Sequence, residues 1–78
     1  MEFSTITNES KTIILESSIS SIEVELYREL VQSGIDPNAF SSVEELRESG
    51  NPDLIMRIPR ISDILSRLAF VKEQLQGL

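Results

Sequence analysis

Three groups of side chains have types and spacings that could do chemistry. They are the carboxylates Glu44, Glu45 and Glu48, the oxygen donors Asp36 and Asn38, and the cations Arg57, Arg60, Arg67 and Lys72. The three glutamates would cluster on the outside of a short helix, where a cation could sit. Acids in a first helical turn also complement the helix dipole, and a solvated face accounts for them without a ligand. Asp36, Asn38 and Phe40 match the first, third and fifth positions of a calcium loop. The sixth is Ser41 where glycine is needed and the twelfth is Arg47 where a bidentate Glu is needed, so the loop fails.

The four cations surround a predicted helix junction near Pro59 and would suit a DNA-binding helical module of a regulator or antitoxin, built on Arg57, Arg60 and Arg67. The junction lacks the glycine of a helix-turn-helix, and the exposed face of the last helix also carries Asp63 and Glu73. No Asn or Gln near its N-terminus is placed to read bases. Solvated charge on a polar face is the plainer account.

The chain has no His and no Cys, which removes imidazole chemistry, thiolate ligands and disulfides together. Any catalysis would rest on carboxylates, Ser, Tyr or Lys. No Gly-x-Ser-x-Gly elbow and no glycine-rich phosphate loop occurs among the three glycines, and no pair of acids is framed by apolar residues. The sequence predicts no catalytic residue, no cofactor site and no metal ligand, hence a protein that is not an enzyme.

Charge is unevenly spread. Residues 1–50 carry ten acids against three bases (Lys11, Arg28 and Arg47), a net −7, while residues 51–78 carry three acids against four bases, a net +1. The whole, at −6, repels phosphate backbones and disfavours general nucleic-acid binding. An acidic inhibitor that mimics nucleic acid is a further alternative. No apolar run approaches the ~20 residues a membrane span needs, and the start MEFSTITNES has neither the basic nor the apolar region of a secretory leader. A cytoplasmic setting is expected.

The elements that position these groups are helices. From Ile61, apolar residues recur at Ile64, Leu68, Val71, Leu75 and Leu78 in steps of three and four, with Leu65 widening the face and Pro59 and Gly77 at the ends. Ser20 and Glu23 have capping-box spacing, Ile19 and Val24 have staple spacing, and Gly34 suits the C-terminal end, so a helix is expected from about 20 to 33. Asp36-Pro37-Asn38 reads as a turn. Ser41 or Ser42 then caps a short helix ending at Gly50, and Asn51-Pro52-Asp53 opens another. The expected fold is all-α: a small bundle of three to four helices near 20–33, 42–49, 52–57 and 60–76. An extended or disordered N-terminal arm over residues 1–19 would precede the helical domain of residues 20–78; the competing reading starts a helix near Ser10 and runs it on into the next element, and Ser17, Ser18, Ser20 and Ser21, whose hydroxyls compete for backbone groups, favour the arm. At 78 residues, with no disulfide, such a domain is marginal alone, which favours self-association.

Two surfaces stand out as partner-binding candidates. Tyr27 and Val31 extend the apolar arc of the first helix past what one neighbour would cover and could face a second chain. Phe70, with Arg67 beside it, lies on the far side of the last helix, where either the arm around Ile13–Leu15 covers it or a partner does. The expected function is a small regulatory or adaptor protein that binds a protein with a basic surface through apolar and acidic helical faces, with a homodimer through the first helix as one form it could take.

Overall fold

The computed structural model describes residues 7–78, which form four helices and no strand: α1 Asn8–Gln32, α2 Val43–Glu48, α3 Pro52–Ile55 and α4 Ile58–Gln76. The all-α class is as expected. Its arrangement is an elongated hairpin, 49 Å in its longest dimension, in which α1 packs along α4 while α2 lies against α3 and α4 at one end.

The N-terminal arm needs correction. Residues 8–19 are helical and continuous with the rest of α1, so residue 20 falls inside a helix; residues 1–6 of the expected arm lie outside the described residues. Thr7 caps α1, its Oγ1 accepting from the Ser10 backbone N–H at 3.2 Å, and the predicted Ser20 cap is an interior residue. Serine hydroxyls compete for backbone groups, the reason the sequence favours an arm over residues 1–19. Here the polar side chains are absorbed: Thr12 donates to the Asn8 carbonyl at 2.9 Å, and Ser17 and Ser20 face outward.

The far end of α1 follows the sequence. Gly34 adopts φ 75°, the Ile35 N–H donates to the Leu30 carbonyl at 2.9 Å and the Gly34 N–H to the Val31 carbonyl at 3.0 Å, a double closure that turns Ile35 back onto the core. In the expected turn the Asn38 N–H donates to the Asp36 side chain at 3.0 Å. Asn51 caps α3 by accepting from the Asp53 N–H at 3.0 Å, but α3 stops at Ile55, two residues earlier than expected. Helix α4 begins at Ile58 with Pro59 in its first turn, and ends at Gly77 with φ −77°, a conformation open to any residue.

The core is concentrated at the capped end. Leu30, Leu46, Ile58 and Ile61 form one buried cluster, with Leu26, Ile35, Phe40, Val43, Leu54 and Leu65 packed against it. Ile64 and Leu68 are also buried, whereas Leu15, Ile19 and Ile22 on α1 and Val71 and Leu75 on α4 are only half-buried. Two helices alone can cover one stripe of each other. Full burial needs the third layer that α2 and the 35–40 segment supply at one end only.

Candidate functional site

The charge asymmetry of the sequence is resolved inside the hairpin. Glu29 is 6% exposed and sits between two cations of α4's start: Arg60 Nε donates to its Oε2 at 2.8 Å and Arg57 Nη1 lies 3.7 Å from its Oε1. One turn earlier, Glu25 receives Arg67 Nη2 at 2.6 Å and Nη1 at 3.3 Å, and Arg67 Nε is 3.4 Å from Asp63. The hydrogen bond from Arg67 holds the Glu25 carboxyl below its ordinary range, and the same bond pushes the guanidinium up. Because Glu29 meets residue 60 and Glu25 meets residue 67, the two helices run antiparallel. Arg57, Arg60 and Arg67, the residues of the DNA-binding alternative, each face a carboxylate of their own chain.

Two of the three glutamates of α2 are likewise occupied. Glu44 is ion-paired with Arg47, and Glu45 accepts from the Ser41 N–H at 3.0 Å and from its hydroxyl. Among the described residues no cluster of acids could hold a metal ion, and no helix is long and apolar enough to cross a membrane.

Exposed apolar side chains stand on the outer faces of both long helices, and at Ile55 and Met56 by α3. Tyr27 is 55% and Val31 52% exposed, on α1 outside its buried stripe, with Tyr27 at the rim of a groove that reaches Leu68 of α4. Phe70 is 62% exposed, about 150° round α4 from its buried stripe at 100° per residue. The expectation that the arm around Ile13–Leu15 covers Phe70 does not hold, since those residues are a turn of α1. Of the four predicted binding residues, Tyr27 and Val31 share one face, Phe70 lies on the opposite face of the hairpin, and Arg67 belongs to the seam between the helices.

Extending α1 back to Asn8 exposes a pattern that the shorter helix hid. Ile13, Ser17, Ser20, Val24, Tyr27 and Val31 recur in alternating steps of four and three, and all six are exposed. The buried stripe of the same helix passes through Leu15, Ile22 and Glu29, on the opposite side. Glu9, Glu16 and Glu23, each seven residues from the next, line one edge of the outer stripe, and Arg28 lies on the other. Two serines in mid-stripe weaken the apolar signal, but the period was present in the sequence.

No family model, no curated protein and no solved structure matches this chain.

Proposed function

We propose that this is a small, non-catalytic cytoplasmic interaction protein of the regulatory or adaptor kind, which binds a protein partner through the outer faces of its helix hairpin. The observation that carries the reading is the pair of oppositely directed apolar surfaces, the Ile13–Val31 stripe on α1 and Phe70 on α4, among half-exposed to exposed side chains. Single exposed apolar residues are ordinary, but a repeating row of them on one face of a helix is not. The acidic edge formed by Glu9, Glu16 and Glu23 supports a partner with basic surface, whose approach it would steer.

The test is photocrosslinking in the producing cell, with a photoreactive residue placed at position 70 or at position 27. Discrete adducts to another protein, reduced by raised salt in lysate, are the expected result. Absence of any adduct at both positions would overturn the reading.

A further inference from the structure

Resting on the interaction reading of α1, we infer that the occupant of its outer stripe is a second copy of this chain, paired parallel and in register along Ile13–Val31. Alternating steps of four and three are the a and d spacing of a two-stranded coiled coil, with Ser17, Val24 and Val31 at a and Ile13, Ser20 and Tyr27 at d. Valine at two of the three a positions is the residue type that two-stranded coiled coils use there, while d holds Ile13, Ser20 and Tyr27 in place of leucine, so the direction of pairing rests on charge. The stripe is ~28 Å long at 1.5 Å per residue. All six residues of the stripe are exposed, and α4 packs on the Leu15, Ile22 and Glu29 side of α1; Pro37, Phe40 and Leu68 flank the stripe only beside Tyr27.

Charge decides the occupant and its direction. Five arginines are described, and four of them (Arg47, Arg57, Arg60 and Arg67) meet a carboxylate within the chain; among the described residues Arg28 meets none, and neither does Glu23 meet a cation. Glu23 and Arg28 flank the stripe at its two edges, five residues apart, which is the offset at which flanking positions pair across a parallel coiled coil. Two copies in register bring each Glu23 to the other copy's Arg28, making two ion pairs. The antiparallel alternative sets Glu23 against its own symmetry mate and forms none.

The neighbouring surface fits the same register. A groove of about 310 Å3 beside Tyr27, between α1, the 35–40 segment and Leu68 of α4, is lined by Glu23, Leu26, Leu30, Pro37 and Phe40 as well. Arg28 of the second copy would cross its mouth, with the guanidinium near the Glu23 carboxylate and the Tyr27 ring. With Ile13, Ile14, Val24, Tyr27 and Val31 all about half exposed or more, pairing would bury on the order of 1,000 Å2 in total, the lower bound for a specific interface. It also supplies a further layer for the uncapped half of α1. Phe70 stays outside the dimer, free for a different protein.

The experiment combines sedimentation equilibrium with cysteine crosslinking, which is clean because the chain has no cysteine of its own. The wild type should reach twice its 8.8 kDa mass, and Ser17→Cys, at an exposed position, should oxidise almost wholly to a disulfide-linked dimer. A mixture of Ser17→Cys with Tyr27→Cys should give no heterodimeric crosslink. Glu23→Arg should weaken the dimer about tenfold, and adding Arg28→Glu should restore it.

A wild type that stays monomeric at millimolar concentration overturns the inference. So does a dimer that crosslinks Ser17→Cys only to Tyr27→Cys, which is the antiparallel result. A monomer that still gives adducts at position 70 would sink the dimer and leave the interaction reading standing, whereas a crosslinked dimer with no heterologous adduct would do the reverse.

Discussion

The sharpest consequence of the hairpin's electrostatics concerns Glu29. Its side chain is 7% exposed, while its partners Arg60 and Arg57 are 67% and 42% exposed, so the two sides of the interaction are not equivalent. Removing the carboxylate releases two guanidinium groups that can rehydrate, whereas removing the guanidiniums strands a shielded charge. An unpaired charged group in such a place costs about 1–3 kcal/mol, less than the ~3–5 kcal/mol of a fully buried ion pair. We expect Arg57→Met with Arg60→Met, which keeps the aliphatic stems, to lower stability by about 2 kcal/mol, or roughly 8–16 °C in Tm for a domain of this size.

Glu29→Gln alone should cost about 1 kcal/mol, because the amide oxygen still accepts from Arg60. In the double-methionine background the same substitution should change sign and recover about 1 kcal/mol. The assay is thermal unfolding followed by circular dichroism at one fixed protein concentration, since a dimer makes Tm concentration-dependent. If Glu29→Gln destabilises equally in both backgrounds, the carboxylate is not shielded and the reasoning fails.

Two further outcomes follow from backbone geometry and from titration. Gly34→Ala should cost ~1–2 kcal/mol in urea unfolding purely through its φ of 75°, since an added Cβ meets no atom within 4 Å, while Gly77→Ala at φ −77° should be neutral or slightly stabilising. Glu25 is held below its ordinary value of 4.5 by Arg67, so its contribution is present above that value and is lost as pH falls through the lower folded value. Glu25→Gln should flatten the acid limb of the stability profile below about pH 4.5, by a small amount that salt reduces because the pair is exposed. An acid limb unchanged by the substitution would remove the Arg67 bond from the account.

Local signals were legible wherever a residue type has one dominant use. The α1 terminus at Gly34, the Asp36 turn, the Asn51 cap and the apolar stripe of α4 could all be read from the chain, because each rests on interactions within about five residues. The start of α1 was open between Ser20 and a point near Ser10. Ser20 and Glu23 satisfy a capping pattern that is equally compatible with a helix interior, and the two are told apart by the tertiary structure, in which α1 packs along α4 with Leu15, Ile19 and Ile22 half-buried.

By itself the sequence determined the all-α class, the absence of histidine and cysteine chemistry, and the turn that folds α1 back towards α4. These depend on composition and short-range geometry. Tertiary structure decided which charges are spent and which remain available. Glu25 and Glu29 stand 42 and 31 residues from the arginines that neutralise them, a pairing set by the antiparallel register of two helices. The same register assigned the wide apolar arc of α1, one side to the core and the other to solvent, because a single packed neighbour can cover only one stripe of a helix.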